Sequence, residues 1–157
     1  MCIRDRDYTT QLYGPAARAA WALDGPSWSG ARELAEYKAK VRAAWPGVRV
    51  DHVESSGVSD YPQVGDILHV RAFVSLGDLS PDEVEVQVVH GRVSESDELR
   101  DIETAPLTFA ESYEGGRHRF EGDLVPTRTG AFGYTVRILP AHASMANAAE
   151  LGLVANA

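Results

Sequence analysis

The chain is poor in the residues that most often announce a chemistry. Among its 157 residues there is one cysteine, Cys2, so an intrachain disulfide and a cysteine-based metal cluster are both excluded. Lysine occurs only twice, as Lys38 and Lys40. Basic residues number 15 against 23 acidic ones, a net charge of −8 that argues against a nonspecific nucleic-acid binder, which needs a basic face. Neutral sugars remain compatible with that field. No apolar run approaches the ~20 residues of a spanning helix, and the start lacks the apolar core of a signal peptide. A cytoplasmic location and no membrane partner are the default expectations.

What is present suits one domain, or one domain with an appendage. Hydrophobic content is 44%, enough for a core, and charged content is 24%, ordinary for a globular chain. The opening MCIRDR fits nothing after it, so residues 1–6 read as an extraneous start. From Asp7 to Leu23 the pattern is helical, with Leu12, Ala16, Ala19, Ala20 and Leu23 on one face and Tyr13 and Trp21 flanking it. Pro15 either opens a second helix at its first turn or kinks a single one. Such an alanine-rich helix has little side chain to build its own core and must dock on something larger.

A second helix is expected after Ser29, its candidate cap, with Glu33 in the first turn and Pro46 and Gly47 as the stop. Leu34, Tyr37, Val41, Ala44 and Trp45 make its apolar stripe, a docking face. Glu36 and Lys40 form an i,i+4 pair on the wet side.

From Val48 the period changes from 3.6 to 2. Val48, Val50 and Val53 begin a strand. A loop holding Tyr61 and Pro62 leads to Ile67–Leu76, where Leu68, Val70, Ala72, Val74 and Leu76 share a face. Glu83–His90 turns Val84, Val86 and Val88 inward. Leu99–Phe109 carries a fourth strand, with Ile102 and Leu107 as core candidates. Arg117–Val125 and Ala131–Leu139 complete six as a hairpin turning at Pro126–Gly130, with Phe132, Tyr134, Val136 and Ile138 on one face. Short strands with Gly/Pro turns argue for a mainly β fold, an immunoglobulin-like antiparallel sandwich of about six strands preceded by two short helices. The expected division is a helical segment at 1–46, a sandwich at 47–141 and a tail at 142–157. In the tail, Ser144 or Asn147 caps a short turn and Leu151, Leu153 and Val154 pack back.

Catalytic motifs do not appear: there is no nucleophile elbow, phosphate loop, zinc spacing or EF-hand loop. His52, His69, His90, His118 and His142 are scattered one per element and read as solvated or strand-end residues. Asp97, Glu98, Asp101 and Glu103 read as an acidic edge that discourages strand-to-strand aggregation. Catalytic residues, metal ligands and cofactor ligands are therefore all expected to be absent. Pyridoxal phosphate needs a lysine beside a phosphate-cradling turn, and neither Lys38 nor Lys40 has that context. Of the loop aromatics Trp28, Trp45, Tyr61 and Tyr113, the stacking candidates for a sugar ring are Trp28 and Tyr113. The competing reading is that these rings seal the seam between helices and sandwich.

Three segments carry a resemblance: DYTTQLYGPAARA (Asp7 to Ala19), GAFGYTVRILP (Gly130 to Pro140) and AELGLV (Ala149 to Val154). Together they resemble the C-terminal end of bacterial α-glucan phosphorylases of the actinobacterial type, which act on glycogen or maltodextrin. The resemblance implies a parent enzyme with pyridoxal phosphate on a lysine, cleaving α-1,4-glucan with phosphate to give glucose 1-phosphate. It also implies that this chain is a C-terminal piece, inactive alone, whose partner is the missing N-terminal catalytic part. Two roles stay open. A structural or oligomerisation domain would bury Leu34, Tyr37, Val41 and Trp45 against the catalytic lobe and expose them when isolated. A stand-alone carbohydrate-binding sandwich would bind α-1,4-glucan by itself.

Overall fold

In strand β2 (Leu68–Ser75) Leu68, Val70, Ala72 and Val74 are buried, while His69 and Arg71 are exposed. That alternation, which puts one face on a core and the other in water, recurs at Val84, Val86 and Val88 and again at Val136 and Ile138. The computed structural model describes residues 8–24, 26–57, 65–96, 98–125 and 131–157. The remaining strands are β1 (Arg49–Ser56), β3 (Val84–Val93), β4 (Leu99–Pro106), β5 (Thr108–Tyr113), β6 (Arg117–Leu124), β7 (Phe132–Pro140) and β8 (Ala155–Asn156). They form two four-stranded antiparallel sheets packed as a sandwich, in the orders β1-β2-β6-β5 and β4-β3-β7-β8. Between them lies one apolar cluster that includes Val70, Val74, Leu76, Val86, Val88, Phe120, Val136 and Ile138.

The expected hairpin at Arg117–Leu139 is corrected. β6 pairs with β2 and β5, whereas β7 pairs with β3 and β8, so the two strands lie in different sheets. The turn assigned to Pro126–Gly130 lies outside the described residues. The single strand expected over Leu99–Phe109 is likewise two strands, and they separate at Leu107. Leu107 is buried, its N–H donates to the Val86 carbonyl at 2.8 Å, and its side chain sits over Gly122 of the other sheet. A Cβ at Gly122 would stand 2.9 Å from Leu107 Cδ2, so glycine leaves the room this crossing needs. Ile102 is 60% exposed rather than in the core. The register steps from His90↔Glu103 to Arg92↔Arg100, so Asp101 and Ile102 both face Gly91 in a bulge. Asp101 takes a left-handed φ of 51° there. β4 is a sheet edge, and its exposed Asp101 and Glu103 are the charges that blunt it. Asp97 lies outside the described residues.

Two helices precede the sandwich. A π-helical turn (Thr9–Tyr13) runs on into α1 (Gly14–Leu23), with helical backbone at Tyr13 and Gly14 and the Gly14 N–H donating to the Thr9 carbonyl, and Pro15 stands just past that junction. α2 (Ser29–Ala44) starts at Ser29 itself. Trp28 occupies the capping position with a left-handed backbone (φ 58°) and no side-chain cap, so the expected Ser29 cap is not formed. Lys40 reaches Glu83 rather than forming the anticipated helical pair with Glu36. In the tail, Asn147 Oδ1 accepts from Ala149 N–H at 3.0 Å, and Leu151 and Leu153 pack on the core. Val154 is 48% exposed, contrary to expectation. Among the described residues, no helix is long and apolar enough to cross a membrane.

Candidate functional site

The apolar stripe of α2 is the first candidate surface. Leu34, Tyr37 and Val41 are 6%, 6% and 0% exposed, and Trp45 is half-buried on the same cluster. Their cover is this chain's own sandwich. The expectation that the stripe stands uncovered in the isolated chain is therefore corrected. A polar clamp holds it in place. The Tyr37 hydroxyl donates to the Glu83 carbonyl at 2.9 Å, and burial pushes its pKa up to about 12. The Glu83 carboxylate accepts from Ser80 N–H and Oγ at 2.8 and 2.9 Å, and from Lys40 Nζ at 2.6 Å. Burial alone would raise the Glu83 pKa, but the bonds from Lys40 and Ser80 outweigh it and hold the carboxyl below its usual range. Lys38 pairs with Glu150 of the tail.

The helical segment before α2 is different. Tyr8, Leu12, Tyr13, Trp21 and Trp28 are all exposed, Trp21 at 75% and Tyr13 at 68%. Leu23 packs on the core cluster. The face predicted to dock is thus turned outward over most of its length, and Trp28, in the turn after α1, is exposed as well.

A third surface lies on the outer face of the first sheet. Because β2 turns its even-numbered residues inward, Phe73 projects outward on a central strand. The His52 and Tyr113 rings flank it, with centroids 6.1 and 6.3 Å away and interplanar angles of 28° and 38°. Asp51 and Arg117 complete a cleft of about 350 Å³. Asp51 Oδ2 accepts from Ser75 Oγ at 2.5 Å, and the Tyr113 hydroxyl donates to Glu111 Oε2 at 3.0 Å. The bond to Glu111 raises the Tyr113 pKa, so the phenol stays protonated near neutrality.

The two predicted stacking rings, Trp28 and Tyr113, are not brought together. The turn after Tyr113 packs at Gly116 on Gly77, which abuts the end of α2 at Ala44. Trp28 lies at the opposite end of that 16-residue helix, about 24 Å away along the axis at 1.5 Å per residue. Tyr61 lies outside the described residues. His52 and Phe73 were missed as partners of Tyr113. The alternation of β2 already marked Phe73 as a large apolar residue on the solvent side.

The other histidines stand at separate places: His69 on Asp123, His90 against the Phe132 ring, His118 on Ser112, and His142 against the Tyr37 ring. Among the described residues, no group of three His, Cys, Asp or Glu side chains could hold a metal. Lys38 and Lys40, engaged with carboxylates on the flank of α2, do not fit a pyridoxal phosphate attachment.

Comparison with known proteins now places the chain. Residues 45–157 match the family described as the glycogen phosphorylase C-terminal domain. The chain belongs to this family. It is 39% identical over 149 residues to glycogen phosphorylases of Mycobacterium bovis and Mycobacterium tuberculosis, an alignment that covers 95% of this chain but 17% of each relative. A maltodextrin phosphorylase of Thermococcus litoralis is 26% identical over 152 residues, again 95% of this chain and 17% of the relative. The chain therefore spans about a sixth of the length of these relatives.

Proposed function

We propose that this chain is the C-terminal accessory domain of a cytoplasmic α-glucan phosphorylase and that its role is structural. The parent reaction is phosphorolysis of α-1,4-glucan to glucose 1-phosphate, carried out by the N-terminal catalytic part. Any pyridoxal phosphate would be held by that part, since neither lysine of this chain offers a place for it.

The observation that carries this reading is where apolar surface remains. The sandwich and α2 bury their apolar faces against each other, while Tyr8, Leu12, Tyr13, Trp21 and Trp28 stay exposed within 21 consecutive residues. Five large apolar side chains left exposed in so short a stretch, with the Tyr8 and Tyr13 rings 6.5 Å apart, are the composition expected of an interaction site. The relatives are about six times longer than the chain, which supports the catalytic part as its cover. α1 and the turn before it would seat on that part, and α2 would carry the sandwich.

A chimera tests this: the chain replaces the matching segment of the Mycobacterium tuberculosis glycogen phosphorylase. The expected result is glucose 1-phosphate release from glycogen by the chimera and none from the chain alone. Tyr13→Glu with Trp21→Glu should lower the thermal stability of the chimera while leaving the isolated chain folded. Phosphorolysis by the isolated chain, or a chimera indifferent to both substitutions, would overturn the reading.

A further inference from the structure

The structural role leaves the outer face of the first sheet unexplained. An outward position on a central strand is ordinarily polar, since its neighbours are water and the side chains beside it. On β2 those positions hold His69, Arg71 and Phe73 in turn, and the cross-strand neighbours of Phe73 are His52 on β1 and Arg119 on β6. Phe73 is half-buried because two rings flank it, not because a second layer covers it. The three rings form a shallow row that is wet on one side.

We propose that His52, Phe73 and Tyr113 form a platform for the glucose rings of an α-glucan chain. The apolar C–H face of a pyranose matches an aromatic face, and the hydroxyls around its rim need charged or amide partners in the plane of the ring. Those partners surround the platform here. Asp51 lines it on the β1 side, Arg117 on the β6 side, and Glu111 stands at the Tyr113 hydroxyl. Asp51 already holds Ser75 and Arg49, and Glu111 holds Tyr113 and Arg119, which fixes both carboxylates; a carboxylate has about four lone-pair sites, so each can still accept from a ligand hydroxyl.

A neutral ligand suits this chemistry better than a charged one. Acidic and basic groups alternate around the cleft, so neither an anion nor a cation meets a field of one sign. The open, shallow shape admits a chain passing across it. The inference rests on the reading of the parent as an α-glucan phosphorylase, whose polymeric substrate this platform would hold.

The test is a titration of the full chain with maltoheptaose, followed by calorimetry and by the aromatic and histidine signals in NMR spectra, beside co-sedimentation with glycogen. The wild-type chain should bind, with the His52 ring signals shifting. Tyr113→Ala and His52→Ala should each weaken binding about tenfold, Tyr113→Phe should keep it close to wild type, and Trp28→Ala should leave it unchanged. His52 is exposed on an edge strand, so its alanine variant stays informative if Tyr113→Ala folds poorly. Absence of binding at millimolar maltoheptaose by a folded wild-type chain would overturn the proposal. So would loss of binding in Trp28→Ala with both platform variants intact. The chimera reports on docking and this titration on sugar, so either reading can fail while the other stands.

Discussion

Glu83 concentrates more of the fold's polar contacts than any motif in the sequence suggests. Its carboxylate closes a capping box with Ser80 and receives Lys40, while its backbone carbonyl accepts from Tyr37 and from the Ala141 N–H at 3.0 Å. One residue thereby ties α2, the start of β3 and the end of β7. Lys40 is 48% exposed, so the ion pair itself contributes less than about 1 kcal/mol. The capping bonds contribute more, and Glu83→Ala should cost about 1–2 kcal/mol in urea unfolding. The pH dependence has two stages with known signs. Burial lowers the His118 pKa, so protonation disfavours the fold, and stability should fall as pH drops below about 6.5 through the folded value. Glu83 is held below its usual range, so its contribution is complete above that range and is lost in more acidic solution. Glu83→Gln should flatten the second stage and leave the first in place; a second stage of unchanged size would assign the acid transition to other carboxylates.

At the scale of elements, periodicity decided faces well and partners poorly. The inward valines of β2 and β3 and the Val136/Ile138 face of β7 follow from alternation, because a strand half in water has no other way to bury apolar side chains. Which strand pairs with which is a long-range matter that alternation does not encode. Arg117–Leu139 therefore read as a hairpin although its strands belong to opposite sheets. Leu107 and Ile102 both read as core candidates, yet they stand an odd number of residues apart, so alternation turns one inward and the other outward, and Leu107 sits where the chain changes sheets. The platform was half legible for the same reason: Tyr113 stands at a turn, whereas Phe73 and His52 meet it only through the β1-β2-β6-β5 order. Leu107→Ala should cost about 2–4 kcal/mol, since the leucine fills the seam where the chain changes sheets. Ile102→Thr should stay within about 0.5 kcal/mol. Denaturant midpoints of the two variants check this, and equal losses would mean that Ile102 is not turned out to solvent.

For the whole molecule, the question is where the folding unit begins. The family match starts at residue 45, just after α2, yet Leu34, Tyr37 and Val41 of α2 belong to the same buried cluster as Val84, Val86 and Ile138. Burial of three such side chains is worth roughly 1.5–3 kcal/mol each, comparable in sum to the net stability of a small domain. α1 is attached differently, with Leu23 as its link to the core and Trp21 and Tyr13 in water. A chain starting at Ser29 should therefore unfold cooperatively at nearly the same urea concentration as the full chain. It should also self-associate less, because the exposed rings of α1 and the turn before it have gone. A chain starting at Trp45 should expose the sandwich face beneath α2 and aggregate or unfold at far lower denaturant. Sedimentation velocity and urea unfolding of the two truncations decide it. If both fold equally well, α2 is a passenger, and the seat for the catalytic part would have to include the sandwich face that α2 covers.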